Sequence, residues 1–415
     1  MKKVRKDGKG MLLRKGETYL RKRKIYCFSY TDAIGKRKFL YANSLIELRE
    51  KEEEFQRNKL DKLDTYVMTK ADINYVFDRY IATRTEFRSN TKTHYCMAYN
   101  KYVRNGFGKK KIIDVRYSDV ICFYQALVQR GLAIGTVASL HNVLHGTFKM
   151  ALRDNVIRSN PTIGAVGDVR KKLNLSEGVR HSLSIEEQRE FLNFLERPEY
   201  KRWKPLFVVL FGTGCRIGEV IGLRWCDVDM EKGIISINHS INYGPRIDNG
   251  CKSDYEVTLP KTEAGIRTIP MLGKVKEAFL LEKQNQKEYG YHPLVQIGGM
   301  KDFIFCNRFG NIHHTQAINR EIHRIVENHN AYEELAAKRE GREPVYIPGF
   351  SCHVARHTFC SRLCENETNV KVIQTVMGHK NIQTTLDIYA EVCEQKKKEI
   401  FESLINKYMS TISKK

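Results

Sequence analysis

No apolar run among the 415 residues approaches the ~20 needed to span a bilayer. The basic opening from Met1 to Gly10 is not followed by the apolar core of a secretory signal. The eleven cysteines are odd in number, scattered and without a C-x-x-C pair, which argues against a disulfide framework and against the commonest zinc spacings. Reduced thiols and a cytoplasmic location are therefore expected. A P-loop, G-x-x-x-x-G-K-[ST], is missing as well. Gly212-Thr-Gly214 begins like a dinucleotide fingerprint, but its third glycine, Gly218, falls one residue late and follows a helical pattern where that motif needs a strand. No nucleotide, metal or other cofactor is expected.

Acidic residues are in short supply too. There are 48 Asp and Glu against 71 Lys and Arg, a formal net charge of +23. Residues 1–40 alone hold 14 basic and 3 acidic residues, so +11 of the +23 sits in a tenth of the chain. Such an imbalance points to a polyanionic partner, most simply nucleic acid. The length exceeds what one compact core usually holds, so two or three domains are expected.

Tyr19–Tyr30 and Lys38–Ala42, rich in aromatic and β-branched residues and separated by a turn at residues 31–35, read as a small sheet, followed by a charged helix over residues 44–59. Arg14, Arg21, Lys22, Arg23, Lys24, Lys36, Arg37 and Lys38 stud that unit and suit a phosphate backbone or a groove. Residues 69–155 read as helical. A capping box at Thr69–Asp72 precedes Ile73, Val76, Phe77, Tyr80 and Ile81, and the same spacing recurs at Val120, Phe123, Tyr124, Leu127 and Val128. A further helix runs from about Thr136 to Leu152. Residues 162–181 lack periodicity and read as a linker. Ser184–Glu187 is another capping box, and Leu206–Phe211 a buried helix ending at Gly212-Thr-Gly214. Ile234–Ile237, Val257–Pro260 and Arg267–Pro270 read as short strands that put Lys261 at a hairpin tip. Asn242–Asp254 and Ala331–Pro344 read as surface loops.

The chemistry gathers between Cys352 and Ala390. His353 and Arg356 stand three residues apart, so on a helix they share a face. Gly378 suits a helix C-terminus and Asn381 the N-cap of the next helix, which carries Tyr389. A tyrosine delivered towards an Arg/His cluster is what attack on a phosphate requires. His357, Cys360 and Cys364 have helical spacing that zinc ligands can share, but they read as small buried side chains behind the reactive face.

His353-Val-Ala-Arg356, Gly378-His379 and Tyr389 resemble the signature of the tyrosine recombinase (phage integrase) family. Two further members of that signature have matches upstream, Arg216 in Gly214-Cys-Arg216-Ile-Gly-Glu219 and Lys261 in the stretch that ends at Arg267-Thr-Ile-Pro270. The resemblance implies a multidomain protein, most like the integrases of conjugative transposons. It would have a small N-terminal β-sheet arm-binding domain (1–65), an α-helical core-binding bundle (66–165), a linker (166–181), a mixed α+β but mainly α catalytic domain (182–395) and a C-terminal tail helix (396–415). The bundle and the catalytic domain would clasp opposite faces of DNA, with Lys109, Lys110, Lys111, Arg130 and Lys149 as further phosphate contacts. Implied partners are double-stranded DNA at core and arm sites, a tetramer assembled on it, and an excisionase or a host DNA-bending factor.

The residue types suit that chemistry. A tyrosine hydroxyl titrates near 10 and is a poor nucleophile until its proton is removed. Arg216 and Arg356 offer forked, permanent charge to the non-bridging oxygens of the transition state. His353 and His379 supply hydrogen bonds, and one of them takes the tyrosine proton. Lys261 is the candidate acid for the leaving 5′ oxygen. Glu219 reads as a structural partner of the Arg216 turn. The same six groups also suit a type IB topoisomerase-like relaxing enzyme, and the charge alone suits a non-catalytic DNA-binding or architectural protein.

Overall fold

In the computed structural model, residues 5–7, 10–31, 37–60, 71–175, 182–246, 250–260, 265–290 and 293–394 are described. The chain divides into two compact units, Met1–Glu177 and Gly178–Lys415.

The first unit begins with an antiparallel meander of β1 (Glu17–Leu20), β2 (Ile25–Thr31) and β3 (Arg37–Ala42). Strand alternation sorts its side chains by face. Tyr26, Phe28 and Ala42 pack on Leu45 and Leu48 of α1 (Leu45–Leu60), while Phe39 and Tyr41 on the other face stay exposed. The Glu17 carboxylate is fully buried at this sheet, and Arg49 Nε donates to it at 3.1 Å while the Arg14 N–H donates at 2.6 Å. Residues 61–70 lie outside the described residues, and with them Thr69 of the expected capping box. Asp72 itself caps the next helix, its side chain accepting the Tyr75 N–H at 2.7 Å.

Helices α2 (Ile73–Thr83), α3 (Ser89–Tyr102), α4 (Tyr117–Gln129) and α5 (Ile134–Arg153) form a bundle. The expected apolar spacings face its core, with Ile73, Val76, Phe77, Tyr80, Val120, Tyr124 and Leu127 buried. Phe77 and Tyr99 stack with ring centroids 3.6 Å apart. The expected linker needs correction at its start. Ala165–Lys172 is a helix, α6, whose Ala165 and Val169 are fully buried in the bundle core. An eight-residue helix with two core contacts is too short to raise a periodic signal of its own.

The second unit packs α7 (Ile185–Phe194), α8 (Lys204–Thr213), α9 (Ile217–Gly222), α10 (Gly273–Tyr289), α11 (Thr315–Glu340) and α12 (Cys352–Asn366) around one apolar core that includes Phe191, Phe207, Leu210, Phe279, Ile322 and Ala355. The capping box at Ser184 and Glu187 is present, with both reciprocal bonds made. Strands β4 (Val228–Asp229), β5 (Ile234–Ile237) and β8 (Arg267–Pro270) form one antiparallel sheet; β6 (Ser240–Pro245) and β7 (Ser253–Thr258) form a separate ribbon.

Three local expectations change here. Residues 242–245 and 253–254 belong to the ribbon, where the Tyr243 ring lies against Tyr255 and Arg246 pairs with Glu256, and residues 247–249 lie outside the described residues. The strand before Lys261 pairs with β6 and the strand after it with β5, so no simple hairpin joins them. Lys261 itself lies outside the described residues. The expected loop over 331–344 is helical to Glu340, where buried Ala337 prolongs the apolar face and Gly341, at φ 68°, ends it. Among the described residues no helix is long and apolar enough to cross a membrane.

Candidate active site

Arg216 is set by two backbone devices. Helix α8 ends at Gly214 in the left-handed region (φ 62°), and a Cβ there would meet the Phe359 ring at 2.2 Å, so only glycine suits the position. Two residues on, Arg216 is the N-cap of α9, and Glu219 accepts both its backbone N–H and its Nη1, each at 2.9 Å. Gly218 brings α9 against β6, where a Cβ would stand 2.8 Å from the Ile241 carbonyl oxygen. The guanidinium is left half exposed.

Arg356 lies one turn into α12, as the H-x-x-R spacing predicts, but it is nearly fully buried. Its Nη1 donates to the Gly214 carbonyl at 2.7 Å and its Nη2 to the Met377 carbonyl at 2.6 Å. Burial, reinforced by the Arg216 charge, pulls its pKa down to about 10. It is still charged at neutral pH.

Met377 ends α13 (Val370–Met377), and Gly378 caps that helix at φ 63°. The carbonyls of a last turn have no partners within the helix and carry the negative end of its dipole. Here three successive ones each accept from a guanidinium: Val376 from Arg267 Nε at 2.9 Å, Met377 from Arg356, and Gly378 from Arg216 Nη2 at 3.2 Å. Arg267 also grips Glu219, Nη2 to Oε2 at 2.9 Å and Nη1 to Oε1 at 3.3 Å. Burial drives the Glu219 carboxyl up, but the Arg267 hydrogen bond and the Arg267 and Arg216 charges outweigh it and hold it below its usual range. Arg216 and Arg267 thus share the Glu219 carboxylate while Arg356 is held by carbonyls, which leaves a positive excess for an anion.

His379 follows immediately, buried, with Nδ1 2.9 Å from Thr385 Oγ1. Burial first, then the charges of Arg356, Arg216 and Arg267, depress its pKa to about 4. The sign of the linkage follows. Between about pH 6.5 and 4 an unfolded chain binds a proton at this position and the folded chain does not, so stability present above 6.5 is lost as the pH falls. His379→Gln lacks that loss. Urea titrations at pH 7 and pH 4.5 should therefore show the variant gaining on wild type by about 1–2 kcal/mol at the lower pH, solvent screening allowed for; an unchanged difference would refute the depressed imidazole.

Arg216, His353 and Arg356 line one cleft of about 300 Å³ together with Ser240, Asn242, Thr315 and Asn319. The first turns of α9, α11 and α12 all contribute to it, at Ile217, Thr315 and Cys352. Positive helix ends and fixed guanidiniums make such a cleft suited to an oxyanion. Tyr389 is not part of its lining. Residues 382–394 are helical (α14), with the Asn381 side chain accepting the Gln383 N–H at 3.0 Å. Tyr389 packs where α12, α13 and α14 meet, over Cys360, Cys364, Ile373, Met377 and Val392. Its phenol is raised by the Cys393 thiol and then by burial. Cys360 and Cys364 are buried there as expected, and His357 Nε2 lies 3.7 Å from Glu391 Oε2.

Of the basic residues singled out in the first unit, Arg14, Arg21, Lys22, Arg23, Lys24 and Arg37 are exposed, as are Lys109, Lys110, Lys111, Arg130 and Lys149. Lys110 Nζ donates to Asp119 at 2.7 Å. Lys36 lies outside the described residues, and Lys38 is described in its backbone only. Sequence reading missed the part played by Arg267 and by the cleft residues Ser240, Asn242, Thr315 and Asn319. One signal for Arg267 was available: it sits two residues before Ile269 on a strand, hence on the same inward face.

Comparison with known proteins agrees with this geometry. Residues 181–396 match the phage integrase family, and residues 1–59 match the DNA-binding domain of the Tn916 integrase. The chain is 29% identical to the transposase from transposon Tn1545 of Streptococcus pneumoniae and 28% identical to that from Tn916 of Enterococcus faecalis, each over 94% of both chains. A solved structure of the Tn1549 transposon integrase in complex with a circular intermediate DNA superposes with a TM-score of 0.68 at 26% identity, covering 79% of this chain and 99% of that one. The chain belongs to the phage integrase family and is a tyrosine recombinase.

Proposed function

We propose that this recombinase integrates and excises a mobile element of the conjugative-transposon kind, cutting and rejoining double-stranded DNA through a 3′-phosphotyrosyl intermediate. The observation that carries this reading is the convergence of Arg216, His353 and Arg356, distant in sequence, on one positively charged cleft. The names of the relatives over nearly the full length support the element type.

In this reading the scissile phosphate enters the cleft and takes its non-bridging oxygens to Arg216 and Arg356. Arg356 arrives pre-oriented, since its two carbonyl partners hold it before DNA binds; a donor fixed beforehand need not reorganise during reaction. His353, at the exposed mouth, contacts the phosphate. His379 is neutral, so its ring offers one donor and one acceptor; Nδ1 lies against Thr385, and Nε2 is the nitrogen that would serve the reaction. Tyr389 leaves its seat on α12 and α13 to attack phosphorus, in its own subunit or a neighbour's, and its proton passes to a histidine. Lys261 donates a proton to the departing 5′ oxygen. The bond energy is kept in the phosphotyrosine, and a 5′-hydroxyl of another strand reverses the step.

The wider assembly is proposed on the same footing. The sheet of the first unit reads arm-type sites, with Arg37 and the exposed turn Arg21–Lys24 against phosphates, and the bundle holds the core site. Four copies assemble on DNA in the bacterial cytoplasm, and an excisionase or host bending protein sets direction. The test is a nicked suicide duplex bearing the joined ends of the element that encodes this chain. The full-length protein should form an adduct that survives denaturing electrophoresis and leaves a free 5′-hydroxyl. Tight binding without an adduct would sink the reading.

A further inference from the structure

Arg267 is buried in a catalytic unit whose known chemistry makes no use of it. Every nitrogen of its guanidinium is engaged, Nε with the Val376 carbonyl, Nη1 and Nη2 with the two Glu219 oxygens, and Nη2 also with Cys215 Sγ at 3.7 Å. Glu219 in turn holds Arg216 by its backbone and its side chain, and Val376 lies in the turn that ends at Gly378-His379. Arg356 also spans these two turns, through the Gly214 and Met377 carbonyls, but Arg267 does so by gripping Glu219, the carboxylate that holds Arg216.

From this geometry, and resting on the role given above to Arg216 and His379, we propose that Arg267 is a positioning residue that sets Arg216 in register with the α13 turn leading to His379 without touching DNA. Its two partners dictate how. Each Glu219 oxygen accepts from both arginines, Oε1 from Arg216 Nη1 and Arg267 Nη1, Oε2 from the Arg216 N–H and Arg267 Nη2. With Arg267 removed, that carboxylate has a single cation left. Arg216 then turns inward to satisfy it, away from the cleft. The Val376 carbonyl loses its donor at the same time, so the last turn of α13 loosens and His379 shifts with it. The fork geometry matters, because a lysine ammonium in the same place is a point donor and cannot span a carboxylate and a carbonyl as a guanidinium does.

The experiment compares full-length wild type, Arg267→Met and Arg267→Lys. Two quantities are read: the single-turnover rate of adduct formation on the suicide duplex at saturating protein, and the titration of the His379 ring followed by carbon-13 NMR of labelled histidine, assigned with His379→Gln. Misplacement of working groups by about an ångström costs on the order of 10²-fold, so Arg267→Met should lose about that in rate with DNA affinity within about threefold of wild type. The His379 pKa should rise in Arg267→Met as a neighbouring cation goes and the turn opens. Arg267→Lys should fall between the two in rate. In Arg267→Lys, which keeps the charge, a merely structural arginine would lower thermal stability and leave the His379 titration where it was; that result, or a wild-type rate in folded Arg267→Met, overturns the proposal. Should the methionine variant not fold, the lysine variant decides, since a wild-type rate and an unmoved titration there overturn it equally. Failure of wild type itself to form the adduct would condemn the recombination reading, not the role of Arg267.

Discussion

Replacing Tyr389 by phenylalanine should abolish the covalent protein–DNA adduct and leave folding and DNA binding nearly untouched. The substitution removes one oxygen from a ring that packs by its apolar faces over Cys360, Cys364, Ile373 and Met377. Among the described residues nothing strong holds that oxygen. The groups that perturb it are thiols, Cys393 first, and thiols are weak hydrogen-bond partners. The change in stability should therefore lie within about 0.5 kcal/mol, the range of substitutions that break no network. Chemistry is a different matter, because phenylalanine has no nucleophilic atom and no nearby group takes over. On the suicide duplex, binding measured by gel shift should persist and adduct fall below detection. A residual adduct would identify another nucleophile and overturn the role given to Tyr389.

Removing the Arg356 guanidinium should do the larger combined damage. In Arg356→Ala the cleft loses a preorganised donor to the phosphate, and loss of one such donor typically costs about 10²–10³ in rate. The same substitution strips the donors from the carbonyls of Gly214 and Met377. Each buried carbonyl left unpaired costs about 1–3 kcal/mol. Part of that is returned, because a desolvated positive charge beside Arg216 and Arg267 goes with it. The net expectation is a Tm lower by several degrees and cleavage down by about 10³ or more, since the two carbonyls anchor the very turns that carry Arg216 and His379. Arg356→Lys keeps the charge but cannot bridge both carbonyls, and should rank between wild type and alanine in both assays. Equal cleavage by all three proteins would remove Arg356 from the reaction.

Much of this was readable along the chain for stated reasons. Amphipathic helices announce themselves through spacing, and the sets at Ile73–Ile81 and Val120–Leu127 do face a core. Glycine demands are local too: Gly214 and Gly378 both end helices with positive φ. Strand partners are not local. The residues flanking Lys261 look like a hairpin, yet β7 pairs with β6 and β8 with β5, a choice made by Tyr243 against Tyr255 and by Ile235 beside Ile269. Likewise the short helix α6 and the end of α11 are helical because Ala165, Val169 and Ala337 find a core to fill, which no window of sequence contains.

By itself, then, the amino-acid order determined the kind of chemistry available, since side-chain types and helix-ending glycines are properties of single positions and their near neighbours. Only the tertiary structure decided which arginines act as donors to the α13 carbonyls, that Glu219 is divided between Arg216 and Arg267, and that Tyr389 rests on apolar packing away from the cleft. Those are meetings between segments up to about 160 residues apart. They depend on the geometry of packed helices, and pairwise geometry of that kind is absent from any one stretch of chain.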